Sequence, residues 1–377
     1  MYKNLPNPSL ASAENEIYLS GERYLDFTDA SPQKMNTSWI DNLLSNSSLD
    51  TILAQDTKTL IENIKTYFKN ALGTNDVQLT YTAAFAFSYI LNTLLSEKQN
   101  EIIMLEPEFQ VFSNLTKLYR GKPIYVKRNI DNSINLDELK KAYTPRTAGV
   151  IIISPDNPTG KVYPQEAMEQ VAEFCIQKDI ALIMDQCFIK HPIFVDKIPL
   201  LADLKNIAQL KYLLISDTGK TLGLKGIKIG ALASSHHYAE AVKTVLRLHF
   251  FQYNQASLYI LSEILTNKQF QNYVDDFNSL LKNNYEYLSL NLHPSLTVIK
   301  PEGGTVCLLD ISKTGKKDVE FNSLLKERHK LATIPYSFFY NSGTRDINYS
   351  YLRFTLARPQ ERVKEAVDKI NLLASSL

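Results

Sequence analysis

Apolar residues recur at helical spacing in one early stretch of the chain. The positions that share one helical face are Leu60, Ile61, Ile64, Tyr67, Phe68 and Leu72. Asp56 precedes this stretch as a capping residue and Gly73 follows it, which predicts where the helix begins and ends. Residues 1–50 are rich in Asn, Ser and Asp and lack such a period, so we expect an extended arm with one short helix.

Short runs of strand-forming residues follow, and most are separated by helical patterns. We predict strands at 77–81, 101–105, 123–126, 149–153, 180–184, 212–216 and 227–233. Several of these runs are continuously apolar, which is typical of strands that are covered on both faces. The order of the elements predicts an α/β fold with a mainly parallel sheet between layers of helices.

The pattern changes after about residue 268. A long polar and apolar helical stretch at 268–291 leads to strands near 296–300, 304–310 and 350–356, with helices at 317–329 and 359–375. This order predicts a smaller α+β domain. We therefore divide the chain into an N-terminal arm (1–50), a large domain (51–267) and a small domain (268–377), and we expect the arm to belong to the small domain.

Composition and charge exclude several classes of protein. The chain has 377 residues, of which 44% are hydrophobic, so it can bury a sizeable core. With 41 basic and 40 acidic residues it lacks the basic excess of a nucleic-acid-binding protein. Its three cysteines are widely spaced, which favours neither disulfides nor a metal site. Without an apolar leader or a run long enough to span a membrane, we expect a cytoplasmic protein with no membrane partner.

Chemically distinctive residues follow several of the predicted strands. SPDNPTG (154–160) follows one strand, Asp185 and Phe188 follow the next, and DTGKTLGLKGIKIG (217–230) follows a third. EPEFQVF (106–112) and TAAFAF (82–87) follow two others. Ligands of open α/β sheets bind beyond the carboxyl ends of the strands. An amide, a carboxylate, a lysine and an aromatic side chain are therefore expected at one edge.

Together these motifs resemble those of the fold-type-I pyridoxal-phosphate enzymes, the aminotransferase superfamily. The resemblance runs from about residue 25 to the end and includes P-x-N-P-T-G, D-x-x-[YF], and a lysine followed by G-x-x-G-x-[RK]-x-G. It also includes P-x-G-G at 301–304 and L-R-F-x-L-A-R at 352–358. The resemblance implies pyridoxal 5′-phosphate as cofactor, a small amino acid as substrate and a homodimer.

The resemblance also implies a role for each matching residue. Lys220 would form the Schiff base and move the Cα proton, and Asp185 would face the pyridine nitrogen. Asn157 would bind the ring 3-oxygen, Phe109 would stack on the ring, and Arg353 would hold the substrate carboxylate by two N–H groups. Plainer structural roles stay open, with Asp185 as a helix cap and Phe109 and Phe188 as core aromatics.

The expected phosphate site departs from the usual family pattern. Asp217 and Gly219 stand where hydroxyl residues are usual, and Lys228 replaces an arginine. Thr82, Ala83 and Ala84 replace the common Gly-Ala turn, but their backbone N–H groups at a helix start can still bind an anion. An acid beside a phosphate is repulsive unless it is screened, so the family pattern leaves Asp217 without a role.

The D-T-G-K sequence and Phe188 in place of tyrosine resemble one subgroup, which contains arginine oxidases and hydroxylases of antibiotic pathways. Its relatives cyclise hydroxylated arginines to capreomycidine and enduracididine. In FTDASP (27–32), Asp29 matches the oxidases, whereas Ser31 replaces their histidine. Glu14 and Glu16 lie in an arm that could cover the site.

The resulting expectation is a pyridoxal-phosphate lyase that dehydrates and cyclises 4-hydroxyarginine to enduracididine. Arg353 would bind the carboxylate, while Glu14, Glu16 and Asp29 would face the guanidinium, with Ser31 nearby. Three alternatives stay open. They are a four-electron arginine oxidase, an ordinary aminotransferase of the histidinol-phosphate type, and a non-catalytic cofactor-binding module such as the effector domain of a transcription regulator.

Overall fold

The computed structural model of the protein describes residues 9–33, 37–45, 47–248, 253–341 and 349–377. The α-helices are α1 (Ser9–Leu19), α2 (Ser38–Leu44), α3 (Leu49–Leu53), α4 (Thr57–Leu72), α5 (Ala83–Leu94), α6 (Gln110–Leu118), α7 (Leu136–Ala142), α8 (Gln165–Lys178), α9 (Gly219–Leu222), α10 (Ala239–Leu248), α11 (Gln255–Thr266), α12 (Gln269–Asn291), α13 (Asp318–His329) and α14 (Gln360–Ser375). The strands are β1 (Leu25–Asp26), β2 (Val77–Thr80), β3 (Glu101–Glu106), β4 (Lys122–Lys127), β5 (Thr147–Ile153), β6 (Ala181–Asp185), β7 (Tyr212–Asp217), β8 (Gly230–Ser234), β9 (Thr297–Ile299), β10 (Val306–Asp310), β11 (Leu331–Ala332), β12 (Ile334–Pro335) and β13 (Tyr351–Thr355).

The predicted helix after Asp56 is confirmed as α4. The Asp56 carboxylate accepts the backbone N–H groups of Lys58 and Thr59, which would otherwise lack partners in the first turn. Gly73 ends the helix with φ +65°, a left-handed conformation that glycine adopts without strain. Local sequence therefore decides both ends of this element.

The large domain is built on a seven-stranded sheet in the order β2-β8-β7-β6-β5-β3-β4. Only the two pairings of β8 are antiparallel. The predicted α/β fold with a mainly parallel sheet is confirmed, and β3, β5, β6 and β7 end at the same edge. The strand predicted at 227–233 begins only at Gly230, because the Ile227 N–H donates to the Leu224 carbonyl in a turn.

The small domain contains the antiparallel sheet β12-β13-β10-β9, packed against helices. Its core includes Phe277, Leu281, Phe321, Phe354, Val363 and Ile370. Helix α12, with 23 residues, contributes to both cores. Phe270 and Val274 near its start pack into the large domain, whereas Phe277 and Leu281 pack into the small one.

The N-terminal segment differs from the expected extended arm with one short helix. That prediction is wrong, because the described residues form α1, α2 and α3. Leu10 packs with Leu308 and Phe339, and β1 pairs with β11, so residues 9–33 lie on the small domain. Ile40 of α2 instead joins the large core. No helix in the described ranges is long and apolar enough to cross a membrane.

Candidate active site

A cavity of about 170 Å³ lies at the sheet edge where β5, β6 and β7 end. All ten residues predicted to hold the cofactor line it: Thr82, Ala83, Ala84, Phe109, Asn157, Asp185, Phe188, Asp217, Lys220 and Lys228. They come from five separate segments. The strand order brings these segments together at one edge, because parallel strands present their carboxyl ends on the same side.

Lys220 lies in the short helix α9, directly after β7. Its Nζ donates to the Ser31 Oγ at 3.2 Å and lies 5.8 Å from the centroid of the Phe188 ring. The lysine amine therefore faces both an aromatic wall of the cavity and the N-terminal segment.

Asp185 ends β6 at the floor of the cavity and is buried. Burial raises the pKa of this carboxyl, although the Cys187 N–H, which donates to Oδ1 at 2.9 Å, and the charge of Lys220 oppose the rise. A buried carboxylate gains most from a cation placed against it. The protonated nitrogen of a pyridine ring is such a cation.

The other end of the cavity already holds an anion. Asp217 Oδ1 accepts the Gly219 N–H at 2.5 Å, and Oδ2 accepts the Ala83 N–H at 3.3 Å. The Lys228 ammonium lies 3.6 Å from Oδ2. Thr82 caps the start of α5 by accepting the Phe85 N–H. These donors form an anion site, and the Asp217 carboxylate stands in for the anion.

Arg353 of β13 is fully buried and contacts Asn157, which lines the cavity. Its Nη1 donates to Asn157 Oδ1 at 3.1 Å, and its Nη2 donates to Glu14 Oε1 at 3.0 Å and to the Thr28 carbonyl. Its Nε has no hydrogen-bond partner among the described residues. Burial lowers the pKa of Arg353 and raises that of Glu14, and the attraction between the two opposes both shifts.

Two further residues of the N-terminal segment face Lys220. Asp29 forms an ion pair with Lys225 and accepts the Ser31 N–H at 2.8 Å. Burial alone would raise the pKa of Asp29, but Lys220 and Lys225 together hold it well below its usual value. Asp29 therefore stays ionised beside the lysine amine.

Glu16 does not join Glu14 and Asp29, which corrects its predicted place at the site. Its carboxylate pairs with Lys326 at 2.7 Å on the surface and keeps 56% of the side chain exposed. Residues two apart on a helix point in nearly opposite directions. With Glu14 directed at Arg353, α1 must therefore turn Glu16 outward.

Comparison with known proteins identifies the family. The chain matches the model of the family Aminotransferase class I and II over residues 15–370. The chain belongs to this family. Aminotransferases of this family use pyridoxal 5′-phosphate. The donors around Asp217, the buried carboxyl of Asp185 and the amine of Lys220 fit its phosphate, its ring nitrogen and its aldehyde.

Relatives of this aminotransferase-family chain act on different amino acids. It is 27% identical over 290 residues to an aspartate aminotransferase of Bacillus subtilis, covering 74% of this chain and 73% of the relative. The chain is also 26% identical over 289 residues to aromatic-amino-acid aminotransferase 2 of Thermococcus litoralis. This match covers 74% of the present chain and 71% of that relative. The structure of N-succinyldiaminopimelate aminotransferase from Mycobacterium tuberculosis superposes with a TM-score of 0.85 at 20% identity, over 98% of both chains.

Sequence reasoning missed an ion pair that supports Asn157 in this aminotransferase fold. The Arg128 guanidinium donates to both Asp156 oxygens at 2.6 and 2.7 Å, and to the Pro107 carbonyl. Asp156 also accepts the Thr159 hydroxyl. The pair fixes the turn that carries Asn157, and no local pattern around Arg128 signals a partner 28 residues away.

A second missed group supports the residue next to Lys220. His191 is buried between Asn278 Oδ1 at 2.8 Å and Thr221 Oγ1 at 3.2 Å. Burial lowers its pKa to about 4, so the imidazole is neutral at physiological pH. Because the Asn278 amide donates to the Lys190 carbonyl, its oxygen accepts from Nδ1. The Thr221 hydroxyl then donates to Nε2, which fixes the short helix that carries Lys220.

Proposed function

We propose that the chain is a pyridoxal-phosphate-dependent aminotransferase whose substrate is an α-amino acid with a cationic side chain. The family supports the transamination, and one contact supports the substrate class. That contact is the ion pair between Glu14 and the fully buried Arg353, beside Asp29 and Lys220.

Each residue of the site has a task in this proposal. When bound, the cofactor supplies an electron sink for bonds at the substrate Cα. Lys220 moves the proton at Cα, because its amine reaches into the cavity from α9. Asp185 would hold a proton on the ring nitrogen of the cofactor, and Phe109 and Phe188 would exclude water from its ring, since all three line the cavity.

Arg353 presents one edge to the substrate carboxylate. Its unpartnered Nε and its Nη2 form the side-on pair of N–H groups that binds a carboxylate with two prongs. Glu14 occupies Nη2, so the substrate carboxylate displaces Glu14. The Glu14 carboxylate is then left half-buried near Asp29 without its bond to Arg353, which is costly. A cationic group at the far end of the substrate removes that cost.

A second candidate function is a reaction of arginine or its derivatives. It is either the dehydration and ring closure of 4-hydroxyarginine to enduracididine or the four-electron oxidation of arginine. Two features favour this arginine chemistry. Phe188 leaves the aromatic wall beside Lys220 without a hydroxyl, and the Ser31 hydroxyl contacts the lysine amine where the oxidases have histidine.

The products distinguish these reactions. The holoenzyme is incubated with arginine, lysine, ornithine, leucine or aspartate, each with a 2-oxo acid as amino acceptor. We expect 2-oxo acid products from the basic amino acids at least tenfold faster than from leucine or aspartate. Faster turnover of aspartate would contradict the substrate class. Oxygen uptake with arginine, or a cyclic product from 4-hydroxyarginine without an amino acceptor, would support the second candidate.

Glu14 and Glu16 offer a matched pair of variants. Glu14→Gln removes the charge beside Arg353, so the KM for arginine should rise about tenfold while the KM for leucine falls. Glu16→Gln removes an equal charge on the exposed side of the same helix and should change neither KM. Steady-state kinetics with both substrates measures this. Equal effects of the two variants would contradict the role given to Glu14.

We also propose a homodimer, as the family resemblance implies. Tyr81 and Phe85 flank Thr82 at the cavity, with ring centroids 5.8 Å apart, and remain 42% and 49% exposed. A partner subunit packed here would cover this apolar surface. Light scattering should give twice the chain mass for the wild type and a single chain mass for Phe85→Glu. A monomeric wild type would contradict the proposal.

A further inference from the structure

Asp217 occupies the place that the cofactor phosphate is expected to take. We propose that Asp217 is an internal competitor of the phosphate. Its carboxylate binds the anion-binding donors in the free chain and must leave them when the phosphate binds. This inference concerns cofactor binding and does not depend on which amino acid is the substrate.

The carboxylate uses the donors that a phosphate would use. It accepts the backbone N–H groups of Ala83, at the start of α5, and of Gly219, at the start of α9. Lys228 is the cation that lies closest to it, at 3.6 Å. The Asp217 side chain is only 3% exposed, so these contacts and not water solvate its charge.

Two glycines allow close approach at the anion site. A Cβ on Gly219 would lie 2.7 Å from Asp217 Oδ1 and 2.8 Å from the Lys228 side chain. A Cβ on Gly230 would lie 2.5 Å from the backbone of Thr82. Without side chains at these positions, Gly219 lies against the Asp217 carboxylate and Gly230 lies against Thr82, next to the donor at Ala83.

The charges at the anion site also disfavour the simultaneous presence of Asp217 and a phosphate. A phosphate monoester carries about 1.5 to 2 negative charges near neutral pH. Asp217 would add one more against the single positive charge of Lys228, and like charges at contact distance disfavour each other. One set of donors therefore binds one anion at a time. Phosphate binding is weakened by whatever free energy is needed to remove the Asp217 carboxylate.

Two forms of the cofactor test this directly. Pyridoxal lacks the phosphate but forms the same bond to Lys220 with release of the same water. Free pyridoxal must first open its internal hemiacetal, but this step is the same for every variant, so it cancels when each variant is compared with the wild type. Both are titrated into the apoprotein without any amino acid, and binding is followed by the absorbance of the bound cofactor. Asp217→Asn keeps an oxygen for the Gly219 N–H but removes the charge.

We expect Asp217→Asn to lower the Kd for pyridoxal 5′-phosphate at least tenfold and to leave the Kd for pyridoxal within twofold. Lys228→Gln should raise the Kd for the phosphorylated form alone. Asp185→Asn, at the other end of the cavity, should weaken both forms. Asp217→Ser supplies a second variant should the amide disturb folding, and the thermal unfolding of each apoprotein checks for this.

An unchanged or higher Kd of Asp217→Asn and Asp217→Ser for pyridoxal 5′-phosphate would overturn the inference. Equal changes for both forms of the cofactor would overturn it as well. Neither result bears on the substrate class. Conversely, an enzyme that rejects basic amino acids would leave the competition between Asp217 and phosphate unaffected.

Discussion

At the scale of single residues, the buried cations of this aminotransferase-family chain are held by specific partners. Arg353 pairs with Glu14, Arg128 pairs with Asp156, and Arg358 donates to the carbonyls of Asp26, Asp29, Ser31 and Ala357. Removing one partner of a buried pair is more damaging than removing both, because the remaining charge is left without solvation.

Asp156→Asn tests this at the turn that carries Asn157. Arg128 is 3% exposed in its side chain and would lose its only carboxylate partner among the described residues. We expect the free energy of unfolding to fall by roughly 3–5 kcal/mol. Urea unfolding of the apoprotein measures it, and adding Arg128→Met to the same chain should recover part of the loss. A loss below about 1 kcal/mol would show that water reaches Arg128.

Sequence predicted which residues line the cavity but not what they contact. The cavity residues follow strands that are visible as apolar runs, and the edge rule for parallel sheets groups them. The contacts of the carboxylates of Glu14 and Asp217 with other residues of the site were not predictable in the same way. Glu14 accepts a hydrogen bond from Arg353, which lies 339 residues away in the sequence. Asp217 accepts one from the backbone of Ala83, which lies 134 residues away.

At the scale of elements, α1 is attached to the rest of the molecule by a small apolar face and by the ion pairs of Glu14 and Glu16. Leu10 and Ile17 are its buried apolar side chains, and the Leu10 N–H donates to Gln110 Oε1 at 3.1 Å. A helix with so small a buried face can open locally while the two cores stay folded.

Leu10→Ala and Leu19→Ala are a matched pair for this element. Leu10 is 1% exposed, whereas Leu19 is 81% exposed. Losing a buried Leu side chain costs about 2–5 kcal/mol. We therefore expect much faster hydrogen exchange across α1 in Leu10→Ala and a nearly unchanged Tm, with no effect of Leu19→Ala. A large fall in Tm for Leu10→Ala would mean that α1 unfolds only with the whole chain.

The elements that sequence predicted well are those whose signals are local. Helix α4 carries its own cap, stop and apolar face between Asp56 and Gly73. Only one short helix was expected in place of α1 to α3, because these helices bury few side chains. They are Leu10 and Ile17 in α1, Ile40 in α2 and none in α3. The start of β8 was misplaced because Ile227 is apolar yet lies in a turn.

At the scale of the whole molecule, the loop after β3 joins the two domains. The Glu108 N–H donates to the Phe339 carbonyl at 2.8 Å, and the Asn341 amide donates to the Glu108 carboxyl at 2.6 Å. Burial raises the pKa of Glu108 to about 8, so the carboxyl is protonated at neutral pH. The carboxyl at this contact between the domains is therefore neutral, although both of its forms can accept the Asn341 amide.

Stability should fall as pH rises because of Glu108. The unfolded chain releases this proton near its ordinary pKa of 4.5, whereas the folded chain keeps it up to about pH 8. Between these values the folded state binds more protons, so the free energy of unfolding decreases with pH and levels off above about 8. Glu108→Gln keeps the amide contact and removes this slope.

Urea unfolding of the wild type and Glu108→Gln at pH 5.5, 7 and 8.5 measures the effect. We expect Glu108→Gln to be the more stable at pH 8.5 by a few kcal/mol, at about 1.4 kcal/mol for each unit of pKa shift. The difference between the two chains should shrink toward pH 5.5. Parallel curves would mean that Glu108 titrates normally in the folded chain.

The α/β class and a smaller C-terminal α+β unit were visible in the sequence, because the order of apolar runs and helical patterns determines them. The arm was expected to belong to the small domain, but the pairing of β1 with a strand some 300 residues later was not predictable. Which of its acidic residues face the site therefore had to come from the structure, where Glu14 pairs with Arg353 and Glu16 pairs with Lys326.

The ion pair between Glu14 and Arg353 affects how inhibitors of this protein should be sought. A fragment with a single carboxylate binds both Nε and Nη2 of Arg353 only by breaking the bond from Nη2 to Glu14. A screen of the wild-type chain will therefore underestimate the affinity of simple acids for this guanidinium. Glu14→Ala presents the same guanidinium without its internal ligand. Acids that bind only this variant would be starting points, to be extended by a basic group that replaces the missing contact with Glu14.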